Sequence, residues 1–162
     1  MLFDPALDMS MRSTASVGAL WQAVTVREFF AEWWPGLHSE PREGARIDAD
    51  DLPYRKKKRR QAIGRVLEVD EGERILYEWT VEGRKHPTKV EILVSQSKKK
   101  SKVRVIESGF DKHDYIAIEV ERQRDFWRDR FQDLREYLDK PKHVARLEAA
   151  AKAAAAKAAE RS

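Results

Sequence analysis

One carboxylate and a set of aromatic rings carry most of the chemistry this chain could perform. Glu107 falls in the run VRVIESGF, where alternation aligns it with Val103 and Val105 on the side that would face a helix. An unpaired buried charge costs on the order of several kcal/mol, so an inward carboxylate needs an arginine, a hydrogen-bond donor or a proton. Spacing offers Arg124 as an ion-pair partner, because it fills the gap between Val120 and Trp127 in an apolar helical stripe. In a second reading Glu107 orients a polar ligand or acts as an acid/base group, with Tyr77 and Arg124 convergent on it. Around it, Tyr77 and Trp79 share a strand, Phe110 stands at a strand exit, Trp127 and Phe131 lie on a helix, and Trp33 and Trp34 precede a Pro-Gly turn. Rings with a few polar handles are the usual lining of small-molecule sites, yet the same rings could fill the space completely.

Other chemistries find less material. There is no phosphate-cradling glycine loop, no G-x-S-x-G and no H-E-x-x-H. His38, His86, His113 and His143 fall in four separate loop or helix-start positions, so neither a metal nor a cofactor is expected. With no cysteine there are no disulfides and no thiol nucleophile, and a reducing cytoplasm is the simplest home. The N-terminus carries Asp4 and Asp8 and lacks the basic start and apolar block of a secretory signal. Charged residues make up 37%, against about 25% in ordinary soluble proteins, and no apolar run could span a membrane.

The net charge of +4 is unevenly spread. Positive residues concentrate in the turn Arg55, Lys56, Lys57, Lys58, Arg59 and Arg60, in Arg84-Lys85, in the turn Lys98, Lys99, Lys100 and in the tail, leaving an acidic body. These clusters could contact nucleic-acid phosphates weakly and without sequence preference. They lack interleaved aromatics, and hairpin connectivity sends the Arg55 and Arg84 turns to one end of a sheet and the Lys98 turn to the other, so solubilising edges are the simpler reading.

Periodicity supplies the elements that position these groups. Asp114 to Lys140 places Ile116, Val120, Trp127, Phe131, Leu134 and Leu138 on one side of a long helix, which Pro141 ends. Four runs before it, Ile63–Val69, Arg74–Thr80, Lys89–Gln96 and Val103–Phe110, alternate as strands joined by short polar connectors. A first strand lies around Ala6 to Met11, and a weak one is allowed near Ala45 to Asp50. Two short helices follow the first strand. One is capped by Ser16, and one starts at a Thr25/Glu28 capping box, carries Phe29, Phe30, Trp33 and Trp34, and stops at Pro35-Gly36. The chain thus divides into an α+β domain over 1–140 and an Ala/Lys-rich tail over 141–162, expected as a solvated, fraying helix.

The succession SVGALWQAVT, EFFAEWWPG, GRVLEVDEGERILYEWT, VRVIESGF and FWRDRFQDLREYL resembles the SRPBCC (START-like) superfamily, and within it the family named after the activator of heat shock protein 90 ATPase. The resemblance covers roughly Leu7 to Leu138. Its most specific pieces are Trp21 with Thr25, the segment Gly64 to Asp70, Tyr77-Glu78-Trp79, and the Ser-Gly-Phe ending at Phe110. It implies a helix-grip fold: a curved antiparallel sheet around the C-terminal helix, enclosing a cavity for a lipid-like, aromatic or other apolar ligand. Trp33, Trp34, Tyr77, Trp79, Glu107, Phe110, Arg124, Trp127 and Phe131 would line it. The resemblance further implies a non-enzymatic binder of a small hydrophobic ligand or of a protein client or chaperone, with a stress-response role. A cyclase or hydrolase using the cavity is the enzymatic alternative. The two lysine-rich turns and the tail depart from the family pattern.

Overall fold

The computed structural model describes residues 6–54, 58–112 and 115–161. Its strands are β1 (Leu7–Ser13), β2 (Leu37–His38), β3 (Arg46–Tyr54), β4 (Lys58–Asp70), β5 (Arg74–Val81), β6 (Thr88–Ser97) and β7 (Lys100–Ser108). Its helices are α1 (Val17–Thr25), α2 (Arg27–Trp33), α3 (Ile116–Leu138) and α4 (Pro141–Glu160), with a short 3-10 turn at Phe110–Lys112. The strands form one antiparallel sheet in the order β1-β7-β6-β5-β4-β3-β2. From β3 through β7 neighbours in sequence are neighbours in space, as short polar connectors require. The first strand closes on the last, pairing Leu7 with Glu107 and Met11 with Val103.

The sheet curls into a half-barrel around α3. Register shifts between Ala49 and Leu52 and between Val66 and Glu68 mark bulges, which bend a strand and increase its twist. At Gly64, opposite Trp79, a Cβ would lie 1.8 Å from the Glu78 carbonyl oxygen, so only glycine lets β4 and β5 approach this closely. Alternation assigns the inner face correctly. Ile75, Tyr77 and Trp79 on β5, Val90, Ile92 and Val94 on β6, and Val103, Val105 and Glu107 on β7 are all buried.

Several elements depart from the pattern reading. The strands are longer than their apolar runs, because ladder hydrogen bonds continue after the hydrophobic alternation stops. Thus β4 begins at Lys58 inside the expected basic turn, and β2 arises in a stretch with no strand signal. Ser16 does cap α1, accepting from Ala19 N at 3.1 Å. The expected Thr25/Glu28 capping box does not form. Thr25 is the last residue of α1 and its hydroxyl donates to the Trp21 carbonyl at 2.6 Å, so Val26 starts α2 without a side-chain cap. On α3 the buried stripe is wider than expected, adding Gln123, Phe126 and Tyr137 to Trp127, Phe131 and Leu134, since a curled sheet covers more than one narrow row.

The tail is also more than a solvated helix. Lys140 breaks the chain with extended backbone, Pro141 occupies the first helical turn where its missing N–H is harmless, and α4 folds back along α1. Leu147 is fully buried, and Gly18 of α1 comes so near α4 that a Cβ there would sit 3.0 Å from Ala151 Cβ. Both oxygens of Glu148 meet Ser16, one taking its hydroxyl proton and the other its backbone N–H at 3.3 Å. From Lys152 onward α4 is exposed, as its alanine composition implies.

Candidate functional site

Glu107 sits at the centre of the grip with no exposed surface. The expected partner is absent: Arg124 is exposed on α3, so the Glu107–Arg124 ion pair does not form. The residue that turns inward from the same stretch is its neighbour Gln123, also fully buried. Both stand in the gap between Val120 and Trp127, and an amide loses far less hydration on burial than a guanidinium. Four neutral donors surround the carboxylate. Trp79 Nε1 donates to Oε2 at 3.1 Å and Thr88 Oγ1 to the same oxygen at 2.5 Å. Gln123 Nε2 and Trp127 Nε1 each donate to Oε1 at 2.9 Å. A carboxylate has about four acceptor positions, so this one is saturated.

Each donor comes from an element that the sequence places reliably. Trp79 on β5 and Thr88 on β6 are directly paired, β6 in turn pairs with β7, and Gln123 and Trp127 are one helical turn apart on α3. The two indoles stack, with centroids 5.9 Å apart and planes at 18°. Phe126 packs edge-on against Trp127 at 4.9 Å, Trp34 edge-on against Trp127 at 5.7 Å, and Tyr77 edge-on against Trp79 at 5.3 Å. The result is an aromatic pile latched at one end by Glu107. Thr88, Gln123 and Phe126 were missed by the sequence reading. Thr88 shares the parity of Val90 and Ile92, and that parity was the available signal.

A small hollow lies beside the pile, between β3, β5 and β6 on one side and α1, α2 and the start of β2 on the other. Its volume is about 20 Å³, enough for one water-sized group. Val24, Phe30, Leu37, Ile47, Ile75 and Ile92 provide apolar walls, and Trp34 and Tyr77 border it as well. Burial, and then the negative charge of Glu107, push the Tyr77 phenol well above its ordinary range, so it stays neutral.

The other residues expected to line a cavity take different places. Trp79 and Trp127 are committed to Glu107, while Phe110 and Phe131 are buried core. Trp33 faces outward, donating to the Ala23 carbonyl at 3.0 Å and bordering an open groove with Glu32, Arg130 and His143. Because Arg124 is exposed, the convergent Glu107, Tyr77 and Arg124 of the enzymatic reading are not assembled.

The basic clusters also divide. Lys98, Lys99 and Lys100 are exposed at the β6–β7 turn, whereas Arg55, Lys56 and Lys57 lie outside the described residues and Lys58 and Arg59 belong to β4. Arg60 is not a surface cation: it is 4% exposed and pairs with Glu119 at 3.7 Å. Burial lowers its pKa from the usual guanidinium range, while the Glu119 charge opposes that shift. Arg84 reaches the same Glu119 oxygen at 2.6 Å, so Arg60 and Arg84 tie the sheet to the start of α3. Of the histidines, His38 and His86 are exposed, His113 lies outside the described residues, and His143 stacks on Tyr137 with centroids 4.1 Å apart. Among the described residues no three His, Cys, Asp or Glu side chains converge on a metal position, and no helix is long and apolar enough to cross a membrane.

Comparison with known proteins agrees with this architecture. DynU16, a protein of the dynemicin biosynthetic locus, superposes with a TM-score of 0.70 at 22% identity, over 85% of this chain and 48% of its own. This chain therefore spans about half of that protein. CalU16 from Micromonospora echinospora matches with a TM-score of 0.64 at 18% identity, over 93% and 86% of the two chains. MLL2253 from Mesorhizobium loti gives 0.65 at 18%, over 84% and 98%. At these identities the likeness concerns the fold. No curated protein matches the sequence. The family model described as Activator of Hsp90 ATPase homolog 1-like protein matches residues 14–139. That span runs from the turn before α1 to the end of α3, taking in the aromatic pile and its carboxylate, and by it the chain belongs to the Activator of Hsp90 ATPase homolog 1-like family within the SRPBCC superfamily.

Proposed function

We propose that the protein binds a small, largely apolar molecule between the sheet and the α1–α2 pair, without catalysing its conversion. The observation that carries this reading is the hollow walled by Phe30, Ile47, Ile75 and Ile92 beside Trp34 and Tyr77. Apolar walls with a small number of polar groups are what ligand sites use. The family's helix-grip fold gives the same expectation. A ligand larger than one water must spread the walls, and α2 is the weakest of them, being only 7 residues long with no side-chain cap. Neutrality of Tyr77 suits an apolar guest, and Glu107, saturated by four donors, has no free acceptor position for acid/base work.

The test is titration of the full chain with N-phenyl-1-naphthylamine, a neutral apolar fluorophore, followed by displacement with a panel of lipids and aromatic compounds. Saturable enhancement with displacement, and a raised Tm for the displacing compounds, is the expected result. No enhancement, together with a Tm unchanged across the panel, refutes the reading.

A further inference from the structure

The five tryptophans, all among the described residues, differ in one respect. Trp21 Nε1 donates to Glu71, Trp33 Nε1 to the Ala23 carbonyl, and Trp79 and Trp127 to Glu107. The indole N–H of Trp34 meets no protein acceptor, although the side chain is only 3% exposed. Tyr77, 4% exposed, carries the same defect: its hydroxyl has no partner. Buried donors are almost always satisfied, because each one left over costs its full desolvation. Here the two side chains that carry such donors both line one hollow.

We propose that this end of the hollow is a subsite for the uncharged carbonyl oxygen of an otherwise apolar ligand, held by Trp34 Nε1–H and the Tyr77 hydroxyl. The inference rests on the reading that a small molecule enters the hollow, and it adds the chemistry of that molecule. Space comes first: before any wall moves, about 20 Å³ is room for one oxygen-sized group. Besides Ser39, the two other polar side chains that border the hollow are occupied. Thr25 bonds the Trp21 carbonyl, and Glu40 at the exposed rim holds Arg42 at 2.8 Å.

Charge decides second. Among the described residues no lysine, arginine or histidine borders the hollow and the one charged residue that does is Glu40, while the Glu107 charge is felt at Tyr77. A carboxylate or phosphate ligand would meet negative potential and find no cation in the lining, the nearby Arg42 being paired with Glu40. An ammonium would bring more protons to a place already short of acceptors. A ketone, aldehyde, quinone or amide oxygen supplies lone pairs without charge, which is what an indole N–H and a phenol can use together.

The experiment compares acetophenone with ethylbenzene, nearly the same shape with the oxygen removed, on the full-length, ¹⁵N-labelled protein. The indole N–H resonances are the readout, with Trp34 assigned by the missing peak of Trp34→Phe. Acetophenone is expected to bind at least about tenfold more tightly and to move the Trp34 indole proton downfield, while ethylbenzene leaves it in place. Tyr77→Phe, which removes an unsatisfied hydroxyl and keeps the ring, should cut the ketone preference to roughly threefold and leave ethylbenzene affinity unchanged. Equal affinities, or a Trp34 resonance that responds alike to both compounds, overturn the carbonyl subsite while sparing the hollow as an apolar site. Failure of both compounds to bind overturns the subsite and the proposed function together. Should Tyr77→Phe not fold, the wild-type comparison of the two compounds decides alone.

Discussion

Replacing Glu107 by glutamine tests the central latch with a change of one atom. Each carboxylate oxygen receives one indole, Trp79 on Oε2 and Trp127 on Oε1. An indole nitrogen donates only, whereas Thr88 can turn its hydroxyl and Gln123 can flip its amide, whose own oxygen has no partner. The new amide can therefore satisfy one indole but never both: whichever way it is placed, its NH2 faces a second donor that cannot reverse. A stranded buried donor costs about 1–3 kcal/mol, and the surviving bonds lose their charge assistance at up to about 1 kcal/mol each. Relief of the carboxylate's burial offsets part of this, so Glu107→Gln should destabilise by about 2–4 kcal/mol, a large share of the usual 5–15 kcal/mol.

Urea denaturation read by tryptophan fluorescence should show a lower midpoint at unchanged slope. Both indole resonances should move upfield, the one left without an acceptor, Trp79 or Trp127, much further than the other. Glu107→Leu, which strands all four donors, should cost more than glutamine. A glutamine variant within about 0.5 kcal/mol of wild type, with both indole resonances unmoved, would refute the saturated-carboxylate account.

Three further changes probe the frame around the latch. Gly64→Ala forces a Cβ into the Glu78 carbonyl and should lose on the order of 3 kcal/mol by urea denaturation, whereas a silent substitution would mean that β4 and β5 can separate locally. Leu147→Ala, at a fully buried position of α4, should cost about 2–5 kcal/mol if the helix is truly docked on α1, and nearly nothing if it is the solvated tail that its composition suggests. Two tyrosines set the alkaline limit of stability. Burial first, and the Glu107 charge second, raise Tyr77 well above 10, and burial together with Glu32 pushes Tyr137 up to about 12. The folded chain thus keeps phenolic protons that the unfolded chain releases, so this contribution is intact below about pH 10 and is lost as pH rises from there towards 12. Urea midpoints between pH 9 and 11.5 should fall, less steeply in Tyr77→Phe and Tyr137→Phe, and equal slopes in all three proteins would contradict the assignment.

How much of this was legible beforehand follows the range of the forces involved. Alternation in the β5, β6 and β7 runs marked the inner face down to Glu107, because a two-residue period is imposed by the pleat wherever one side is buried. The stripe of α3 was visible for the same local reason. The partner of Glu107 was not, since Arg124 and Gln123 fit the helical gap equally well and only the packed sheet selects the smaller loss of hydration. Arg60 sat inside a run of basic residues and looked solvated, and its burial depends on Glu119, far away along the chain. The docking of α4 continues past Leu147 through a glycine in α1 meeting an alanine in α4, a contact between small residues that carries no hydrophobic signature of its own.

The two sides of the grip are held differently, and that difference predicts which one would open for the proposed ligand. On the α3 side Gln123 and Trp127 are bonded to Glu107, so moving α3 breaks two buried bonds to a carboxylate. On the α2 side Trp34 has no bond through its indole, Phe29 and Phe30 hold by apolar packing, and a polar restraint comes from outside, where Arg146 of α4 reaches Glu32 at 2.7 Å and Glu28 at 3.7 Å and lies over the Phe29 ring at 5.3 Å. Arg146 is 46% exposed, so solvent screens this clasp and leaves it weak. Arg146→Ala should then make an opened α2 more populated and raise the association rate of N-phenyl-1-naphthylamine in stopped flow by the same factor, if opening precedes binding. The clasp is mainly ionic, so high salt should narrow the gap between variant and wild type. An unchanged association rate in Arg146→Ala, combined with a faster one in Gln123→Ala, would place the moving wall at α3 instead.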